Sequence, residues 1–145
     1  MKIAIGSDHG GYKLKTFLID QLTALGHEMV NCGTDSLDSV DYPDFAYKTA
    51  SIVANKEADY GILVCTTGEG ISIAANKVKG IRCGIGYNDD VAIMMRKHND
   101  ANMIAFGEKY TSNEDALKRV LLFLGTEFEG GRHSRRVEKI NNYNC

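Results

Sequence analysis

Along this chain short apolar runs alternate with longer stretches whose apolar residues recur every three or four positions. Lys2–Gly6 predicts a strand. Tyr12–Leu25 predicts a helix with Leu14, Phe17, Leu18, Leu22 and Leu25 on one face, stopped by Gly26. Glu28–Cys32 predicts a second strand, and Tyr42–Asn55 a helix entered at Pro43, the only proline. Tyr60–Cys65 is apolar throughout, which suits a strand in a sheet covered on both faces. The pattern then predicts a helix over Gly70–Val78, a strand over Ile81–Ile85 and a helix over Asp89–His98. A strand over Asn102–Phe106 and a helix over Asn113–Leu124 follow, and the rest, from Gly125 to Cys145, is a polar and basic C-terminal tail.

Strand followed by helix, repeated through the chain, predicts an α/β fold. The expected architecture is a three-layer α/β/α, doubly wound, Rossmann-like arrangement around a five-stranded parallel sheet, with the basic tail appended. Short connections favour a single domain over residues 1–145. No low-complexity segment or internal repeat interrupts it.

Open parallel sheets bind ligands beyond the carboxyl ends of their strands. The stretches there are Ser7–Gly11, Gly33–Asp35, Cys65–Gly70, Gly86–Asp90 and Gly107–Lys109. The central one reads Cys65-Thr66-Thr67-Gly68-Glu69-Gly70 and opens a helix. Free N–H groups at a helix start attract an anion, and two glycines let a ligand approach the backbone, so an oxyanion or enediolate fits there. The competing reading is a plain βα turn. The stretch is neither a Walker loop nor a GxGxxG fingerprint. Cys65 would feel the same dipole and act as nucleophile or base, against the alternative of a buried, inert thiol. Cys32 and Cys83 fit the inert reading, and Cys145 is terminal and incidental. Ile71 stands where a cysteine phosphatase would carry arginine.

His9 and His98 can move protons near neutral pH, or can serve as surface and capping histidines. His27 has no suggestive neighbours. In the tail, His133 sits among Arg132, Arg135 and Arg136. Arg132 and Arg136 are four apart, so in a helix they share one face and suit phosphate oxygens; the competing reading is a solvated basic tail.

Composition changes this picture little. With 145 residues, 43% hydrophobic and 25% charged, the chain can bury one ordinary core. A net charge of −2 gives no global attraction to nucleic acid or membrane. Met1-Lys2 leads straight into Ile3-Ala4-Ile5-Gly6, too short for a signal h-region, and no run approaches the roughly 20 apolar residues of a membrane span. Four cysteines without CxxC spacing are expected as reduced thiols in the cytoplasm.

Five segments then become specific together: "GSDHGGYKLK", "VDYPDFA", "GILVCTTGEGISIAANKVKGIR", "RKHNDANMIAFG" and "TEFEGGRHSRRVEKI". In that order, over nearly the whole chain, they resemble the ribose-5-phosphate isomerase B family, which includes the galactose-6-phosphate isomerase subunits. The resemblance implies an aldose–ketose isomerase that interconverts ribose 5-phosphate and ribulose 5-phosphate with no metal or organic cofactor. It implies that Cys65 moves the proton from C2 to C1 through a cis-enediol and that Thr67 helps the developing oxyanion. His98 would open the furanose ring, with Asp8 a neighbouring candidate for that proton. Asn99 would contact the sugar, Tyr42 would line the substrate, and His9, Arg132 and Arg136 would hold the phosphate. Thr66, Gly68, Gly70 and Ser72 are expected binding positions of the loop and its helix. The expected partners are the sugar-phosphate substrate and copies of the same chain, as a homodimer or dimer of dimers with sites shared across the interface. No nucleic acid or membrane is expected.

The chain departs from the family pattern at several points. Thr66 replaces a glycine. Lys109 stands where an arginine often binds phosphate, keeping the charge but losing the fork. Lys79 replaces a common proline. Glu69 occupies the position used as base by a branch of the family that lacks the cysteine, so this sequence holds both groups. Cys65 is the expected base because Thr67 also matches the cysteine-type branch. Open alternatives are a six-carbon substrate (allose 6-phosphate or galactose 6-phosphate), a non-catalytic sugar-phosphate-binding module, and a flavodoxin-like or receiver domain.

Overall fold

The computed structural model describes residues 1–143; Cys145 lies outside them. The elements are β1 (Lys2–Ser7), α1 (Tyr12–Ala24), β2 (Glu28–Asn31), α2 (Tyr42–Ala54), β3 (Tyr60–Cys65), α3 (Glu69–Ala75), β4 (Cys83–Ile85), α4 (Asp89–Asn99), β5 (Met103–Gly107), α5 (Asn113–Leu124) and α6 (Arg132–Asn141). The five strands pair in parallel in the order β2-β1-β3-β5-β4.

Two-residue periodicity divides the core into two layers. Ile3, Ile5, Ile62, Val64, Ile104 and Phe106 pack with α1, α4 and α5 on one face. Ala4, Leu63, Cys65, Met103 and Ala105 pack with α2 and α3 on the other. Every residue of β5 is buried, which explains the unbroken apolar runs and makes the predicted doubly wound, three-layer architecture the observed one.

Some boundaries differ from the pattern reading because side chains take over the backbone pairing. The sequence predicts β4 from Ile81, but the Arg82 amide donates to Asn102 Oδ1 at 2.9 Å and its carbonyl accepts from the Asn102 amide at 3.0 Å. The strand therefore begins at Cys83. Likewise α3 ends at Ala75 rather than Val78. The Asn76 carboxamide accepts from Cys83 N at 2.7 Å and donates to Cys83 O at 2.9 Å. The basic tail folds as α6 and is tied on at both ends: Glu129 N donates to Lys97 O at 3.1 Å, and Arg82 Nη1 donates to Asn141 Oδ1 at 2.7 Å.

From β1 the chain goes to β2 on one side, and β3 lies on the other, so the switch point of this open sheet is the crevice between the carboxyl ends of β1 and β3. Asp8-His9 and Cys65–Gly70 flank it. The crossover from β4 to β5 starts α4 at the carboxyl edge of the sheet and ends it at the amino edge, where β5 begins. Among the described residues no helix is long and apolar enough to cross a membrane.

Candidate functional site

Gly68 organises the crevice. It caps α3 with φ at 81°, and a Cβ there would lie 2.9 Å from the Phe106 carbonyl carbon and 3.0 Å from Gly107 N. Only glycine combines that left-handed backbone with such close approach to β5. The resulting turn folds the Gly68 amide onto Cys65, whose buried Sγ accepts it at 3.1 Å. A thiolate is a better acceptor for that N–H than a neutral thiol. Thr67 Oγ1 accepts the Glu69 amide at 3.2 Å, and the Gly70 and Ile71 amides have no partner among the described residues. Two donors thus remain at the helix start beside the sulfur.

The first loop packs against this turn. Asp8, buried, accepts from Gly10 N at 2.9 Å and caps a 3-10 turn over His9–Gly11. His9 Nδ1 accepts the Val40 amide at 3.2 Å, which assigns the ring proton to Nε2 and leaves that N–H free to donate. A Cβ on Gly10 would fall 2.1 Å from Thr66 Oγ1, so Gly10 makes the room into which the unusual Thr66 side chain turns. Similarly, a Cβ on Gly70 would lie 2.6 Å from Tyr42 Cζ, because the Tyr42 ring rests on Gly70. Lys109 N donates to Thr66 O at 3.2 Å, while its exposed ammonium lies 5.7 Å from the centre of the Tyr110 ring. Ser72 is buried, its hydroxyl donating to Glu69 O at 2.8 Å within the helix. Glu69 itself is exposed on the first turn of α3.

Two supports escaped the sequence reading. Lys15 is fully buried, donating to Asn31 Oδ1 at 2.8 Å and Asp35 Oδ1 at 3.0 Å. The Asn31 amide and then the Lys15 ammonium hold the Asp35 carboxyl below the usual carboxylate range. This pins the segment that carries Val40 to His9. Glu108 Oε1 accepts the Leu14 amide at 2.7 Å and so fills the start of α1. The apolar spacing of α1 marks Lys15 only as a helix position, and Glu108 carries no signal beyond its place after β5.

A second group lies at the amino edge. His98, in the last turn of α4, stacks on His133 with ring centroids 4.4 Å apart and planes at 17°. Burial, then the facing charges of His98 and Arg132, push His133 below the ordinary histidine value. The Asn99 carbonyl accepts from Arg82 Nε at 3.1 Å. Arg132 and Arg136 are exposed on α6, unpaired among the described residues.

One chain therefore does not bring its predicted site residues together. Cys65, Thr66, Thr67, Gly68, Glu69, Gly70, Asp8, His9, Tyr42 and Lys109 meet at the carboxyl edge. His98, Asn99, Arg132 and Arg136 stand at the other edge, separated from Cys65 by the run of β5, about 13 Å. A groove of about 760 Å³ joins the two ends along β4 and α4. Thr67, Glu69, Tyr87 and Tyr110 line one end, Ile85, Val91 and Met95 the middle, and Asn99 the far end.

Burial raises the Cys32 thiol and pushes Cys83 up to about 12, so both remain protonated.

Residues 3–140 match the family model described as Ribose/Galactose Isomerase. The ribose-5-phosphate isomerase B of Escherichia coli is 46% identical over 139 residues, covering 96% of this chain and 93% of that protein. The solved ribose-5-phosphate isomerase B of Clostridium thermocellum is 52% identical with a TM-score of 0.96, covering 97% of this chain and 95% of that one. The Mycoplasma genitalium enzyme, solved with bound ribulose-5-phosphate, is 39% identical with a TM-score of 0.94, over 98% and 95% of the two chains.

Proposed function

The chain belongs to the Ribose/Galactose Isomerase family, and from that premise we propose that it interconverts ribose 5-phosphate and ribulose 5-phosphate with Cys65 as the base. It is an aldose–ketose isomerase. The observation that carries the choice of base is the Gly68 N–H aimed at Cys65 Sγ beside the two unpartnered amides. Cys65 takes the C2 proton of the open-chain aldose. The electrons move into the C1–C2 bond as the carbonyl oxygen gains charge, and the Gly70 and Ile71 amides with the Thr67 hydroxyl stabilise that oxygen. The enediolate oxygen O1 takes the proton of the O2 hydroxyl to pass through the cis-enediol, and return of the carbon proton to C1 as the C2 carbonyl forms completes the transfer. His9, through Nε2–H, meets the phosphate, and Tyr42, Thr66 and Gly70 shape the wall of the crevice. The scheme uses no metal ion or organic cofactor.

Ring opening needs a separate acid and base, and His98 is the group proposed for it, with Asp8 beside the crevice as a second proton carrier. His98 cannot reach the Cys65 of its own chain, because α4 ends at the opposite edge. A second copy docked two-fold along the β4–α4 groove supplies the missing His98, Asn99, Arg132 and Arg136, so the working unit is a homodimer or a dimer of dimers with shared sites. The reaction belongs to sugar-phosphate metabolism in the cytoplasm.

Isomerase assays on ribose 5-phosphate test the assignment. Cys65→Ala is expected to lose about a thousandfold in kcat, while Glu69→Gln keeps most of it. The reverse pattern transfers the base to Glu69. Parallel assays on allose 6-phosphate and galactose 6-phosphate are expected to give lower kcat/KM; a preference for either overturns the five-carbon assignment.

A further inference from the structure

One cluster at the amino edge joins His98 to two ligand-type side chains, Glu129 and His133, that the isomerisation scheme leaves unused. The side-chain donor atoms of His98, Glu129 and His133 lie within 4.8 Å of one another. Three separate restraints set this grouping. His98 sits in the last turn of α4, His133 in the first turn of α6, and the Glu129 amide is bonded to Lys97 O. His133 is only 7% exposed, and its Nε2 has no hydrogen-bond partner. Glu129 Oε1 is 3.7 Å away, too far to be one. A buried ring nitrogen without a partner is costly, and native proteins rarely leave one.

Two imidazoles and one carboxylate are a donor set for a zinc-type ion that keeps a fourth position open. Ligand distances of about 2.0–2.2 Å require the three atoms to close in by roughly an ångström, and the half-buried His98 ring to turn out of its stack on His133 so that the two in-plane lone pairs converge. Glu129, with 56% of its side chain exposed, has the freedom to swing inward. We propose that His98, Glu129 and His133 form a binding site for a divalent transition-metal ion, and that the bound ion arrests isomerisation by occupying the His98 ring nitrogen. Coordination takes the one free lone pair of the imidazole and sends any proton held there to solvent, so the ring can no longer accept the proton that ring opening moves. Arg132 and Arg136 on the same helix repel a dication, which makes the site reversible rather than structural. The inhibitory half rests on the role proposed for His98; the binding half does not.

Cobalt(II) titration of the full chain, stripped with a chelator, reads the binding half. The expected result is a visible d–d band saturating at one ion per chain, without a near-ultraviolet sulfur-to-cobalt band, and displaced by zinc. Glu129→Gln and His133→Asn should each abolish it. A band that persists in Glu129→Gln, or that carries sulfur character, puts the metal on a cysteine and overturns the site. Zinc inhibition of ribose 5-phosphate isomerisation reads the other half. Wild type should be inhibited and then restored by chelator. Glu129→Gln, which is outside the proposed catalytic set, should keep its activity without metal and need at least about tenfold more zinc for half-inhibition. Metal binding without inhibition overturns the arrest while the site stands. Inactivity on ribose 5-phosphate before any metal is added instead counts against the functional reading, and the cobalt band then still decides the site.

Discussion

A methyl group on Gly68 would press into the β5 backbone at 2.9 Å, in a conformation with φ at 81° that L side chains avoid. Gly68→Ala is therefore expected to cost about 2 kcal/mol of stability. By moving the amide off Cys65 Sγ it should also lower kcat more than it raises KM; denaturant melts with steady-state kinetics measure both. A variant that is destabilised but has unchanged kcat would separate this amide from the chemistry. At this scale the sequence narrows the base to two residues within one loop and favours Cys65 only through the neighbouring Thr67. Cys65 and Glu69 differ in what surrounds them: one is buried under a donated N–H, the other exposed on a helix turn. That difference arises only when β5 closes over Gly68. Thr66 is similar. The sequence shows only that it replaces a glycine; the fold places Gly10 opposite its hydroxyl and so makes room for it.

Elements with strong periodicity were legible: β3 and α5 have the boundaries their apolar pattern predicts. Where side chains replace backbone partners, pattern fails. Asn76 truncates α3 and Asn102 delays β4, and nothing local distinguishes these asparagines from surface ones. The direction of α4 was legible in principle. A helix crossing between parallel strands must finish at the amino edge, so His98 at its end is necessarily remote from Cys65. Glu108 links two elements by placing a carboxylate on the free amides of α1. Glu108→Gln retains an acceptor oxygen but removes the charge, and should destabilise the fold by about 0.5–1 kcal/mol. Thermal melts at low and high salt check this, since the deficit should shrink as salt screens the dipole.

Strand order belongs to the whole molecule, and the sequence is silent on it. β5 inserts between β3 and β4 because of packing across the sheet, and this leaves short β4 as an edge beside the groove. A site completed by a second copy makes a sharp prediction. Cys65→Ala chains and His98→Asn chains, each inactive on ribose 5-phosphate, should regain activity when mixed and allowed to exchange. Half the dimers are then mixed, and each carries one intact site of two, so activity should reach about a quarter of wild type. A mixture no more active than its components would mean that each chain works alone.

Under the proposed shared-site dimer, the same two-edge layout ties reaction rate to dilution. On the proposed assignment, with the base at one edge and the ring opener at the other, a chain is half an enzyme until it meets its twin. In a solution too dilute for pairing, doubling the protein quadruples the rate, and specific activity rises until pairing saturates. In that scheme a damaged copy silences one of the two catalytic centres of each dimer it forms with an intact chain, whichever half it has lost.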